Sequence, residues 1–291
     1  MELVAMGLSL SSNIASLKAQ RQLALTTQRL GTSFERLSSG LRINRASDDS
    51  AGLALADELR ADARVATVAL RNANDGISIT SVADTALDEI GTILTRMAEL
   101  ATQSANGAYT NTQRSALSSE FLALGSEIDR IAQTTTFNGL SLLSNSGSLS
   151  IQVGLTGASN SVITIGAVLG TLSSLGLSGS GSSALTYSLT GTTTAYAQSA
   201  SQLALNAVTA AIGTLSSTRG ILGAAESRLN SAINYLSVAR ENFAAAEARI
   251  REVDVAQEVA EMVRLQILQQ VTTAVLAQAN QQPEVALKLL G

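Results

Sequence analysis

The sequence predicts a mainly α fold: a bundle of long helices with a small β-hairpin region in the middle. Three observations carry this. Proline occurs once in 291 residues, at Pro283, so almost nothing interrupts long helices. Apolar residues toward both ends of the chain recur at helical spacing. Aromatic residues make up only 3% and Trp is absent. The apolar content is therefore mostly Ala, Leu, Ile and Val, which suits helices packed side by side.

The N-terminal zone reads as several helices. Leu23, Leu30 and Leu37 interleave with Phe34 and Leu41 at steps of three and four, forming one apolar stripe. The segment RINRASDDSAG breaks the pattern. Ser47 is the expected N-cap of a second helix from about Asp48 to Asn72, with Asp48 and Asp49 favouring its N-terminus. After NDG at 74–76 a third stripe follows: Leu87, Ile90, Leu94, Met97 and Ala101. The loop SANGAYTNT turns the chain into a fourth stripe of Leu117, Phe121, Leu124, Ile128 and Ile131. So short a connection predicts antiparallel neighbours.

The C-terminal zone is the most regular. Val208, Leu215, Leu222, Leu229, Leu236, Phe243 and Ile250 fall every seven residues. Three positions after each come Ala211, Thr218, Ala225, Ala232, Ala239, Ala246 and Val253. This is a heptad seam with large residues at one position and mostly Ala at the other. Ordering so long a helix costs more than one seam returns, so the helix needs partners on more than one face. Leu222, Leu229, Leu236, Ala239, Phe243, Ala246 and Ile250 are the expected assembly seam, together with Leu23, Leu30, Phe34, Leu37 and Leu41 of the N-terminal stripe.

Between these zones, Ile131 to Thr218 contains no charged residue. Leu149–Val153 and Val162–Ile165 are strand candidates, and GLTGASNS between them supplies a turn, so a β-hairpin is expected. The following SSLGLSGSGSSALTYSLTGTTTAY reads as a solvated surface loop, or as a carrier of O-linked sugars on Ser or Thr. No N-x-Ser/Thr sequon occurs in the chain.

Composition also excludes. The net charge of −4 offers no basic face for nucleic acid. Cysteine and histidine are both absent, which removes disulfides, thiol nucleophiles, thiolate metal sites and the commonest general base. No phosphate loop or nucleophile elbow is present. Gly176–Gly181 is glycine-rich but lacks the flanking strand and helix. Asp48 and Asp49 read as helix-start charges. Glu241, Glu247, Arg249, Arg251 and Glu252 read as a solvated helix face. No enzyme activity, cofactor or metal is expected. The stretch Leu265 to Pro283 is uncharged but carries six glutamines, which argues against membrane insertion. The start of the chain lacks the basic region of a signal peptide.

SFERLSSGLRINRASDDSAGLALADELRA at Ser33–Ala61 resembles the N-terminal signature of bacterial flagellins. RNANDGISI, ELATQSANGAYTNTQRSAL, SEIDRIAQTTTFNGLSLL and SIQVG continue the likeness. At the other end LNSAINYLSVARENFAAAEARIREVDVAQEVAEM and QILQQVTTAVLAQANQQPEVALKLLG match as well. The resemblance spans roughly 1–153 and 200–291. It implies paired N- and C-terminal helices in a coiled-coil-like core, and a subunit that polymerises into the extracellular filament of the bacterial flagellum for swimming. It implies export through a flagellar type III channel without a cleaved signal, and terminal segments that order on assembly. The nearest alternative is a hook–filament junction protein. Only about fifty residues separate the two matched ends, so large outer domains are not expected.

Five segments follow: 1–45, an N-terminal core helix; 46–145, the N-terminal part of a helical domain; 146–200, the uncharged hairpin and loop; 201–250, the C-terminal part of the helical domain; and 251–291, a C-terminal core helix. The partners implied are further copies of the chain, related flagellins, an export chaperone, hook-associated and cap proteins, and a host Toll-like receptor. Arg96, Leu100 and Glu120 match the receptor-sensed surface. Leu124 stands where receptor-recognised flagellins carry a second arginine. Leu265, Leu268, Val271 and Val275 form the stripe on the segment that resembles the one held by the chaperone.

Overall fold

The structure, a computed structural model, describes residues 12–179, 182 and 184–290. The chain start read for export, Gly181 of the glycine-rich stretch and the final Gly291 lie outside these residues. The described chain is mainly helical, with five long helices and two small antiparallel strand pairs. It divides into two compact units: Met1–Ala61 with Asn242–Gly291, and Asp62–Glu241.

Helix α1 spans Ile14–Ser39; the Asn13 side chain accepts from the Ser16 N–H at its start, and Gly40, with φ of 70°, ends it in the left-handed conformation. Helix α2 spans Ser50–Ala105 without a break. The sequence predicted two helices here, split near NDG at 74–76. Gly76 instead sits inside α2, and a Cβ there would come within 3.2 Å of Leu229 and 3.3 Å of Ile151. The glycine provides close packing, not a turn, and the buried stripes on both sides override its poor helix propensity. The N-cap also differs from expectation. Asp49, not Ser47, accepts the Gly52 N–H at 2.9 Å. Asp48 accepts the Asn44 and Arg45 N–H groups at 3.0 and 2.9 Å. These two amides hold its carboxyl below the usual carboxylate range.

Helix α3 (Asn111–Thr134) opens on a capping box between Thr110 and Gln113. The third stripe read from the sequence is buried in the unit Asp62–Glu241; of the fourth, Phe121 and Ile128 are buried, while Leu117, Leu124 and Ile131 are half-buried at its edge. Leu87, Ile90, Leu94, Met97, Ala101, Phe121 and Ile128 are wholly or almost wholly inaccessible. Strands β1 (Thr136–Phe137) and β2 (Leu140–Ser141) form a minimal hairpin. Asn138 and Gly139 close it with φ of 49° and 79°, the geometry Asn-Gly favours. Strands β3 (Leu149–Gln152) and β4 (Val162–Ile165) pair antiparallel as the sequence predicted.

The uncharged segment after β4 departs from expectation. It is not a solvated loop: Val168, Leu172, Leu175, Leu177 and Leu189 are buried in the same core as α2 and α3. Its leucines strap the bundle, and the side chain of Leu185 fills the space that a Cβ at Gly125 of α3 would need. Local turns satisfy its backbone, as where the Leu177 N–H donates to Leu172 at 2.9 Å. Helix α4 (Thr194–Arg251) closes this unit and continues into the other, and α5 (Val255–Leu290) follows. Gly213, Gly220 and Gly223 lie in α4 beside open space and do not interrupt it.

Candidate assembly surface

In the unit made of the chain ends, α1 and α5 run antiparallel. Near one end Asn13 donates to the Ala279 carbonyl and Ser16 to Asn280, both at 2.7 Å. Near the other, Ser33 donates to Glu258. Apart from Leu265, the residues facing inward are small or polar. On α1 they are Ser16, Ala19, Thr26 and Ser33, and on α5 Leu265, Thr272 and Ala279. Ala19, Thr26 and Ser33 fall every seven residues, as do Leu265, Thr272 and Ala279, so the pair has a coiled-coil register with a thin apolar content.

The larger apolar residues point outward. On α1, Ile14, Leu17, Leu25 and Phe34 are 44–58% exposed. On α5, Val255, Val259, Val263, Ile267, Val271 and Val275 recur every fourth residue, and all are exposed. Steps of four advance about 40° each around a helix, so this ridge winds across the side of α5 turned away from α1. Burying each such side chain contributes about 1.5–3 kcal/mol. An isolated pair of helices forgoes that contribution on both outer faces.

A polar clasp fixes the entry and exit of the pair. The Arg42 N–H donates to Arg251 at 2.6 Å and the Val253 N–H to Gly40 at 3.0 Å. The same region carries the pairs Arg60–Glu247 and Arg251–Asp57.

The seam residues read from the sequence divide by location. Leu222, Leu229 and Leu236 are buried in the core of the unit Asp62–Glu241, so they hold the chain's own fold together. Ala239, Phe243, Ala246 and Ile250 are half-buried, as are Leu23, Leu30, Leu37 and Leu41. Phe34 is 50% exposed. Arg96 and Glu120 are exposed and paired at 2.9 Å, with Glu99 also on Arg96, whereas Leu100 is buried. Leu265 faces α1, while Leu268, Val271 and Val275 are exposed. The ridge of Val255, Val259, Val263 and Ile267 was missed; its signal was the unbroken spacing of four.

Fold and surface together define a helical assembly subunit with unfilled apolar faces. Its N-terminal residues 10–148 match the bacterial flagellin N-terminal helical region, and residues 205–290 the C-terminal helical region. A flagellin of Halalkalibacterium halodurans is 40% identical over 282 residues, covering 97% of this chain and 99% of that one. A flagellin of Bacillus subtilis is 38% identical over 306 residues, covering 97% and 99%. A putative flagellar hook-associated protein from Vibrio parahaemolyticus shares the fold, with a TM-score of 0.57 over 70% of this chain and 100% of that one, at 16% identity.

The chain belongs to the bacterial flagellin family. It is a structural subunit, not an enzyme, that polymerises into the extracellular flagellar filament for motility. The near full-length match to flagellins favours this over the hook–filament junction reading. No helix among the described residues is long and apolar enough to cross a membrane.

Proposed function

We propose that filament cohesion in this chain comes from its terminal helices, through burial of the outer faces of α1 and α5 against neighbouring copies. The observation that carries this is the inside-out composition of the pair: mostly small and polar residues within, and large apolar residues without. Half-buried Phe243, Ala246 and Ile250 at the end of α4 extend the same surface, with Leu23, Leu30, Leu37 and Leu41 of the N-terminal stripe. In this reading residues 1–45 and 251–291 are the core segments, 46–145 and 201–250 the helical domain, and 146–200 its uncharged cover.

Before export, the exposed Leu268, Val271 and Val275 suit an export chaperone that shields apolar surface. Leu265 joins them only when α1 is not yet in place. Hook-associated and cap proteins are the partners proposed at the filament ends, and related flagellins along it. For a host Toll-like receptor, Arg96 and Glu120 offer the accessible contacts; Leu100 is buried in the chain and offers none. Exposed Ser and Thr of 146–200 are the acceptors for any O-linked sugar.

Replacing Val263 and Val271 by Asp tests the reading. Neither is buried in the chain, so circular dichroism of the variant matches the parent. Sedimentation of seeded polymer is expected to show loss of assembly, because each aspartate places an unpaired charge in a dry contact. Unchanged polymer yield would move cohesion away from α5.

A further inference from the structure

The unit Asp62–Glu241 carries two exposed stripes that complement each other. On α2, Val68, Asp75, Val82 and Glu89 are spaced by seven and all exposed. On α4, Ile221, Arg228 and Tyr235 are also spaced by seven and exposed, the tyrosine at 70%. One stripe alternates valine with a carboxylate. The other sets a guanidinium between two large apolar groups. Asp75, Glu89 and Arg228 make no ion pair or side-chain hydrogen bond among the described residues, unlike Arg219, which pairs with Asp84 and Asp88. Arg71 flanks the stripe near its start, and the next position at the same spacing after Glu89 is Arg96, which is already paired with Glu99 and Glu120. Arg228 and Tyr235 also wall a groove of about 650 Å³ between α4 and the loop joining β3 to β4, with Val153, Ile163 and Leu236 below.

We propose that α2 of one copy docks along α4 of a second copy, with Glu89 on Arg228 and Val82 on Tyr235. The proposal rests on the filament reading and adds a lateral contact outside the terminal helices. The register follows from symmetry. All copies in a polar filament point the same way, so α2 and α4 of neighbours cross in the same antiparallel sense as within one copy. Within a copy, Gly76 lies against Leu229. Pairing Asp75 with Arg228 of a neighbour would set the two copies level, and level lateral contacts close into rings. Pairing Glu89 with Arg228 displaces the neighbour by about twelve residues, or about 18 Å at 1.5 Å per residue. That offset winds a lateral contact into a continuous helix. The same register brings Val82 over the Tyr235 ring at the mouth of the groove.

The test is seeded polymerisation of the full chain. E89R and R228E should each raise the concentration needed for assembly by roughly tenfold, through like charges in a close contact. The double variant E89R/R228E restores the pair with its signs exchanged and should return to within about twofold of the parent. Single variants that assemble like the parent, or a double variant no better than the worse single, would overturn the contact. Rescue by D75R/R228E in its place would overturn the offset register. A parent that fails to polymerise under any seeding takes the filament reading down as well, which distinguishes the two failures. V82C/Y235C gives a second reading, since the chain has no other cysteine. Mild oxidation of its polymer should yield disulfide-linked multimers on a non-reducing gel, and monomers alone would contradict the docking.

Discussion

Arg114 is fully buried yet faces no carboxylate. Its guanidinium donates to the carbonyls of Asn106 at 2.9 Å, Tyr109 at 3.3 Å and Thr194 at 3.4 Å. These lie just past the end of α2, in the turn before α3, and at the start of α4. The carbonyl end of a helix carries partial negative charge, which makes this a tolerable place for a buried cation. One side chain thus ties three helices where the chain reverses. Arg114→Met would leave carbonyls without donors and is expected to destabilise the chain by about 2–4 kcal/mol. Chemical denaturation followed by circular dichroism checks this, and a change under about 0.5 kcal/mol, the scale of an ordinary surface substitution, would contradict it. Such burial is not legible in the sequence, because an arginine in a helical pattern reads as solvent-facing. The exposed Arg96–Glu120 pair was legible only through family likeness.

Among elements, legibility followed periodicity. The stripes of α2, α3 and α4 could be read because large apolar residues repeat every three, four or seven positions. The β3–β4 hairpin could be read because turn residues separate two apolar runs. Continuity of α2 through Gly76 could not, since the glycine is explained by Leu229 and Ile151, which are distant in sequence. The β1–β2 turn carried a readable Asn-Gly signal that the surrounding helical motif obscured. The strap over α3 was misread because Ser, Thr and Gly dominate it, while its few leucines lack a helical or strand period. Gly125 marks where the strap docks. Gly125→Val should force Leu185 out, cost about 1–3 kcal/mol through overpacking, and speed hydrogen exchange across 172–189. Unchanged exchange there would show that Leu185 does not anchor the strap. On the outer faces the sequence identified helices in need of partners, but which residues point outward depends on the α1–α5 register. That register is set by small residues such as Ala19, Thr26 and Ser33, and small residues leave little hydrophobic signal.

For the whole molecule, the two units divide the work. The unit Asp62–Glu241 owns a dry core of leucines and isoleucines from α2, α3, α4 and the strap. The unit of the chain ends holds together through a thin seam, a polar clasp and a few hydrogen bonds, and leaves many of its apolar side chains, Phe34 and the α5 valines among them, exposed. In the proposed reading, stability in that unit is tied to assembly: the ordering cost of long terminal helices is offset when neighbours cover them. The most direct measurement is electron microscopy of the full chain under polymerising conditions beside a chain lacking residues 251–291. The account predicts long filaments from the full chain and none from the shortened one, which loses α5 and its outward ridge. Filaments of equal length from both would contradict the claim that the terminal helices hold the polymer together.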